Sequence, residues 1–475
     1  MNVQHFSIVG GGLSGALMAV YLRRAGHAVD VFERRPDPRT RTAIEEEQSV
    51  NVALSVRGWS ALTQAGFDDE ILSIAVPMDA QILHPVQGAP DWQPFRNHPD
   101  GFLWSISRRA LNATLLTAAE SHGARLHFNH VCRRVDPDRG LLEVEDEQKQ
   151  IRTISNTVVI GADGADSTVR TCLTHDRQAA EVQRYLTWGY KELHMPSTRD
   201  GWWPLHPQAM HLWPRERFIL TAQPNNDGSF TCTLYMSLND DDLSFKTLNT
   251  PGAIQNFFRE AFHDALPHLP GLVEEFMRRP TRRLRTVACC PWHIASNVVL
   301  IGDAAHAVVP FCSQGMNAAL EDCTLLAQAI RDSKGDLEDA FTRFEATRKP
   351  DTDALARISL HQLEEMRGFK FSTVQRWKEH THRALERLFP SRFPSLYSMV
   401  ALSRLSYSDA RRRSRRQAAI LDGVIAGTVL GATALMAARV AGHRASCSSA
   451  APVRRSAGPV DGEPVQPSRP AHPTE

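Results

Sequence analysis

No C-x-x-C pair occurs among the eight cysteines (Cys132, Cys172, Cys232, Cys289, Cys290, Cys312, Cys323 and Cys447). The one close pair, Cys289-Cys290, is adjacent, which is poor spacing for a zinc site. Scattered thiols of this kind read as reduced and structural, in a cytosolic body. An excess of one charge is also missing. Lys and Arg number 54 against 53 Asp and Glu, a net charge of +1, so nothing in the global electrostatics points to nucleic acid. No basic segment, apolar core and cleavage site open the chain, so no secretory signal is expected. Long apolar runs are scarce too. The charge-free stretch Gly423 to Ala438 is sixteen residues, short of the roughly 20 that span a bilayer. Widened to 418–441, with Asp422 and Arg439 near its ends, it reaches that length. Gly423, Gly427 and Gly431 recur at the small-xxx-small spacing of membrane helix contacts, and the cluster Arg411-Arg412-Arg413-Ser414-Arg415-Arg416 precedes them. These features predict a membrane helix over 418–441, a catalytic body on the cytoplasmic side, and a disordered Ser/Pro/Arg tail over 443–475.

What is present begins at once. At 475 residues and 42% apolar, the chain is long enough for two or three packed lobes. His5 to Val9 reads as a buried strand, followed by Gly10-Gly11-Gly12-Leu13-Ser14-Gly15 and a helix to about Ala25. Ala28 to Phe32 reads as a second strand ending at Glu33. Gly10, Gly12 and Gly15 form G-x-G-x-x-G in its full strand–turn–helix–strand context, with an acid where ribose hydroxyls are held. The first glycine permits the tight turn, the second lets a pyrophosphate approach the backbone, and the third lets helix and strand pack closely. A dinucleotide is therefore expected here. The glycine-rich loop alone would be weak evidence.

Two further strand-to-turn units follow. Thr157 to Ile160 runs into Gly161-Ala162-Asp163-Gly164, and Asn297 to Ile301 runs into Gly302-Asp303. After the second, a Pro-containing loop (Val309-Pro310-Phe311-Cys312-Ser313) enters an amphipathic helix at about Gly315. A strand end facing a helix N-terminus is where an α/β fold holds an oxygen-rich or anionic ligand. Asp303 is suited to sugar hydroxyls, and the backbone amides from Gly315 through Met316 to Asn317 to a carbonyl or anionic ring. Arg108, opening a helix after the strand Leu103 to Ser107, is a candidate for a phosphate. Between the second and third units, Leu186 to Pro280 is rich in Trp, Phe, Tyr and Thr, with a hairpin turn at Asn225-Asn226-Asp227-Gly228. This predicts an antiparallel sheet forming a wall over the cofactor. The fold class is thus α/β, a Rossmann-like cofactor domain (1–185 and 286–335) with an inserted antiparallel β-sheet substrate domain (186–285) and C-terminal helices (336–410).

The three turns, in this order, resemble those of the class A flavoprotein monooxygenases. Within that class the chain is most similar to the kynurenine 3-monooxygenases, through Ser49-Val50-Asn51-Val52-Ala53-Leu54-Ser55, Gly189-Tyr190-Lys191-Glu192-Leu193, Met210-His211-Leu212-Trp213-Pro214-Arg215, Gly302 to Asp322 and Pro394 to Val400. The resemblance covers about residues 5 to 410. It implies FAD as the cofactor, NADPH or NADH as reductant, and insertion of one oxygen atom of O2 into an electron-rich aromatic ring. No side-chain acid, base or metal is implied as catalyst, and His306 reads as a polar core residue. Gly10, Gly12, Gly15, Glu33, Arg108, Asp163, Asp303, Gly315, Met316 and Asn317 are expected around FAD. A flavin halogenase would carry W-x-W-x-I-P, which Trp202-Trp203-Pro204 does not match.

The substrate positions depart from the resemblance. After Pro77-Met78, kynurenine hydroxylases place an arginine that holds the substrate carboxylate; here Gln81 stands there. An assisting tyrosine falls on Phe95 and an asparagine on Gln362, while Tyr397 keeps its tyrosine. Phe311 and Cys312 complete the expected pocket, with Cys312-Ser313 where relatives have an aromatic or histidine followed by glycine. Glutamine cannot make the bidentate, charge-assisted contact of arginine. The expected substrate is an apolar aromatic without the amino-acid carboxylate, such as an alkylated or prenylated quinolone. Kynurenine 3-hydroxylation is the alternative.

Overall fold

A computed structural model describes residues 3–40, 51–95, 102–155, 157–175, 180–367 and 391–448, with a few positions between 381 and 389. Ser49 and Val50 of the first resembling segment, and the tail beyond Ser448, lie outside the described residues. The chain divides into two units, the first ending at Gln417 and the second starting at Ala418.

The six-stranded sheet of the first unit runs in the order His293–Ile294, Val298–Leu300, Val158–Gly161, His5–Val9, Ala28–Glu33, Arg125–Phe128. Four of its five pairings are parallel, and the edge strand His293–Ile294 runs antiparallel to Val298–Leu300. Near-continuous apolar strands (Phe6, Ile8, Val29, Val31, Val159, Ile160, Val298 and Val299 are all buried) are what a parallel sheet covered on both faces requires. Because Val9 pairs with Gly161 and Gly161 with Leu300, the three Gly-containing turns leave the carboxyl ends of three neighbouring strands. Sequence segments some 150 residues apart thereby meet along one edge.

A seven-stranded sheet forms the second layer, in the order Arg282–Cys290, Ala180–Met195, Phe230–Ser237, Phe218–Pro224, Ala209–Arg215, Ala80–Leu83, Asp91–Pro94. It is antiparallel except where Ala209–Arg215 runs parallel to Ala80–Leu83. Two short strands precede Ala209–Arg215 in the chain: Ala75–Met78 joins a small separate sheet, and Ala80–Leu83 crosses into the large one. The expected turn at Asn225 to Gly228 joins two of the long strands, with Gly228 at φ +87°. Alternation sets the two faces. Phe218, Leu220, Ala222, Phe230, Cys232, Leu234, Met236 and Leu193 pack with Ile254, Phe257, Phe258 and Phe276 of the covering helices Pro251–Ala261 and Leu272–Arg278. The intervening residues, Tyr190, Glu192, Thr221, Gln223, Thr231, Thr233 and Tyr235, are left for the other face.

Helices Gly315–Asp332 and Leu337–Arg367 complete the body, and the last helix is Tyr407–Ser448. Among the described residues, no helix is long and apolar enough to cross a membrane. The membrane helix expected over 418–441 is therefore not supported. The charge-free stretch is short, and its Ala and Gly residues contribute little hydropathy compared with Leu or Ile.

Candidate active site

Each turn positions its residues by backbone geometry. Gly10 has φ +106°, and a side chain on it would strike Ala162 of the neighbouring turn. Gly15 faces the Gly10 carbonyl so closely that no Cβ fits between them. A Cβ on Gly12, by contrast, would meet nothing within 4 Å. Gly12 borders open space, which is the arrangement that lets an anionic group approach the backbone at the start of helix Leu13–Arg24. Glu33 is buried, accepts the Gly11 amide at 2.8 Å, and pairs with Arg35 at 2.9 Å. Burial alone would raise its pKa, but Arg35 and the Gly11 amide hold it below its ordinary value, so it is a carboxylate.

These residues border a cavity of about 610 Å³ lying between the two sheets. Gly10, Gly12, Glu33, Arg108, Asp163, Asp303, Gly315 and Met316 all line it. Gly15 does not, because its role is the tight approach to Gly10. Asn317 does not either. Its side-chain oxygen accepts the Ser55 amide at 2.8 Å, and its nitrogen donates to the carbonyls of Ala53 and Ser313 at 2.9 and 2.8 Å. It thus ties the first turn of its helix to strand Asn51–Leu54. Asp163 accepts the Ser167 hydroxyl at 2.5 Å and the Thr168 amide at 2.7 Å, capping helix Thr168–Thr174 from the cavity's edge.

The loop after Val298–Leu300 is held from behind by a buried ionic network. Asp322 accepts the Gly302 amide at 2.8 Å, His306 Nε2 at 2.6 Å and Arg348 Nε at 2.6 Å. Arg348 also reaches Glu321 at 2.7 Å and Asp351 at 3.0 Å. His306 is therefore a buried structural group, as the sequence reading has it. The network presents Asp303, which follows Gly302, to the cavity.

The residues expected around the substrate fall into separate groups, none of which lines the cavity. Phe95 and Tyr397 come together, ring centroids 6.2 Å apart, in an apolar cluster with Met78, Met210, Leu212 and Leu83. Gln81 pairs directly with Met210, and the Gln223 carboxamide reaches Met210 Sδ at 3.8 Å. Gln81 therefore sits on the cavity-facing side of the sheet, farther out than the cavity wall itself. Phe311 packs on Tyr235 at 5.2 Å. Cys312 lies in another cluster with Met399, Val400 and Tyr407, and Gln362 lies half-buried on helix Leu337–Arg367.

What borders the cavity opposite the glycine turns is the polar face of the large sheet: Tyr190 and Glu192, Thr221 and Gln223, Thr231, Thr233 and Tyr235. The sequence reading did not single these out. Their signal was present in the period-two patterns Tyr-x-Glu, Thr-x-Gln and Thr-x-Thr-x-Tyr, the last two interleaved with the apolar Ala222, Cys232 and Leu234. Cross-strand pairing aligns them, with Glu192 opposite Thr233, Thr233 opposite Thr221, and Tyr190 opposite Tyr235. Arg34, Arg35, Arg108, Arg282, Arg283 and Arg285 supply positive charge around the same space. A long, mostly anionic dinucleotide fits such a site: open backbone at Gly12, a carboxylate at Glu33, a helix N-terminus at Gly315, and arginines along the rim.

Comparison with known proteins agrees with this geometry. Residues 3–339 match the FAD binding domain family. The chain is 41% identical to a kynurenine 3-monooxygenase of Salinispora tropica over 437 residues, covering 91% of this chain and 96% of that protein. A kynurenine 3-monooxygenase of Myxococcus xanthus is 39% identical, with 88% and 89% covered. Among solved structures, 2-methyl-3-hydroxypyridine-5-carboxylic acid oxygenase superposes with a TM-score of 0.63 at 20% identity, over 78% of this chain and 95% of that one. PqsL of P. aeruginosa, in complex with 2-aminobenzoylacetate, gives 0.63 at 20% identity, over 77% and 97%.

Proposed function

The chain belongs to the FAD-dependent aromatic monooxygenases, and we propose that its substrate is an electron-rich aromatic or heteroaromatic compound that lacks the amino-acid carboxylate of kynurenine. As a member of that family it uses FAD as cofactor, NAD(P)H as reductant and O2 as oxidant. When bound, FAD supplies the redox chemistry, taking hydride from the nicotinamide and activating dioxygen. The protein's part is to hold the cofactor, orient the substrate ring and keep water out. On this reading Gly12, Glu33, Arg108, Asp303 and the amides at Gly315 and Met316 hold FAD. The polar wall from Tyr190 to Tyr235 orients the ring.

One observation carries the substrate class. At the outer end of the cavity-facing sheet the neutral Gln81 pairs with Met210, at the position where the resembling kynurenine hydroxylases place an arginine, and Phe95 and Tyr397 pack with Leu83, Met210 and Leu212. A carboxylate brought there would lose its hydration without the charge-assisted contact that an arginine at position 81 would make, at a cost of about 2 kcal/mol or more. An apolar or neutral substituent, such as the alkyl chain of a quinolone, is suited to those side chains. The second reading, 3-hydroxylation of L-kynurenine, is favoured by the names of relatives about 40% identical over most of the chain. Product analysis by mass spectrometry, with the purified yellow protein, NAD(P)H and a panel of L-kynurenine, carboxylate-free aminoaryl ketones and 2-alkylquinolones, separates the two. Oxygenated product from the carboxylate-free members supports the first reading. Robust hydroxykynurenine formation supports the second.

A further inference from the structure

Glu192 stands alone among the polar residues of the cavity wall as a carboxylate on the substrate side. It is placed by strand Ala180–Met195, opposite Thr233, with Tyr190 two residues before it on the same face. Among the described residues, its Oε1 is buried and has no hydrogen-bond partner. Among the described residues no ion pair holds it, although Arg282, Arg279 and Arg108 are near enough to be felt electrostatically. A carboxylate taken out of water with an unmatched oxygen is unfavourable, and such groups persist where a ligand supplies the missing donor. The other side chains at this wall are hydroxyls (Thr221, Thr231, Thr233, Tyr190, Tyr235) and the Gln223 carboxamide, each of which can donate or accept. Glu192, ionised, only accepts.

We infer that Glu192 is a substrate-recognising residue: it accepts a hydrogen bond from an N–H or O–H substituent borne directly on the aromatic ring that is oxygenated. An amino or hydroxyl group, or the ring N–H of a quinolone, is also the kind of substituent that makes a ring electron-rich. Recognition by an acceptor therefore selects for the reactive class. A site built around a hydrogen bond discriminates strongly against an analogue lacking the donor, because the buried acceptor is then left unmatched. The inference rests on placing the ring in this cavity. It does not depend on whether the far end of the substrate carries a carboxylate, since both kynurenine and carboxylate-free aminoaryl ketones bear a ring amine.

The test uses the FAD-loaded full chain and two probes, 2-aminoacetophenone and its N,N-dimethyl derivative, titrated against the flavin absorbance spectrum. The wild-type protein is expected to bind the N–H probe about tenfold or more tightly than its methylated partner, the worth of a hydrogen bond to a charged group. Glu192→Leu abolishes that preference and Glu192→Gln reduces it, both with an unchanged FAD content. If Glu192→Leu fails to fold, Glu192→Gln decides, by weakening the N–H probe about threefold or more while leaving the methylated one unaffected. Equal binding of the two probes by the wild-type protein, failure of both to bind, or a preference undiminished in both variants overturns the inference. So does a change confined to the KM for NADPH, which would make Glu192 a positioning residue for an arginine.

Discussion

Replacing Asp322 with Asn removes one negative charge from the centre of the network behind the Gly302-Asp303 turn. Asp322 is fully buried and accepts three hydrogen bonds, from the Gly302 amide, His306 and Arg348. Asparagine retains an oxygen for one donor, so the loss is mainly electrostatic. Breaking a buried ion pair on one side costs about 3–5 kcal/mol. Arg348 keeps Glu321 and Asp351 as partners, which places the expected loss near the lower end, about 3 kcal/mol. The matched control is Asp353→Asn, which breaks a partly exposed pair with Lys349 and is expected to cost less than about 0.5 kcal/mol. Urea unfolding of both variants, followed by flavin release and far-UV dichroism, reads the difference. Because Asp322 holds Gly302, D322N should also release FAD at a lower urea concentration than global unfolding. A D322N variant as stable as D353N would refute the view that this network supports the cofactor turn. The pH dependence follows from the same contacts. Burial alone would raise the Asp322 pKa, but His306 and Arg348 outweigh it and hold the carboxyl below its ordinary value. A depressed folded pKa means that this stability is present above the ordinary carboxyl range and is lost as pH falls through the lower folded value. D322N should lack that acid-side contribution.

Gly12→Ala places a methyl in the open space beside the backbone, so the apo protein should unfold like wild type while FAD affinity, measured by fluorescence titration, falls about tenfold or more. Gln81→Arg combined with Phe95→Tyr should lower the KM for L-kynurenine by roughly tenfold to thirtyfold, a charge-assisted contact of about 2 kcal/mol, as read by initial-rate NADPH oxidation with product quantification. Burial pushes the Glu192 carboxyl above its ordinary value, against Arg282, Arg279 and Arg108, which pull it down. The folded protein therefore holds this proton more tightly than the unfolded chain does, so Glu192 subtracts stability as pH rises from the ordinary carboxyl range to the folded value. Thermal melts should show E192Q gaining on wild type across that window.

The cofactor half of this site was legible because its determinants are local. Gly10, Gly12, Gly15 and Glu33 lie within one strand–helix–strand unit, and each glycine answers a steric need that the spacing already states. The three turns could be aligned with one another because parallel strands flanked by helices place their carboxyl ends on one edge. The substrate wall was not legible in the same way. Its sheet draws strands from 80–94, 180–237 and 282–290, and only their register decides that Glu192, Thr233 and Thr221 share a row. A one-residue slip would turn the opposite, apolar face toward the cofactor. Asn317 illustrates a different limit. Its position was read correctly as the start of a helix, but its side chain is engaged by Ser55 and Ala53, more than 260 residues away in sequence. The membrane helix expected over 418–441 is not supported because small residues at four-residue spacing mark membrane helices only when the stretch is apolar enough, and Ala and Gly are not.

The most direct measurement of the central claim is a comparison of kcat/KM for two substrates under the same NADPH and O2 concentrations. One is L-kynurenine and the other 2-aminoacetophenone, which keeps the ring amine and ketone and lacks the amino-acid end. Coupling should be checked by mass spectrometry of the oxygenated product in 18O2. Gln81, a neutral side chain at the position where the resembling kynurenine hydroxylases place an arginine, predicts that the carboxylate-free compound is favoured by about thirtyfold, corresponding to about 2 kcal/mol. A higher kcat/KM for L-kynurenine, with tightly coupled hydroxylation, would contradict it.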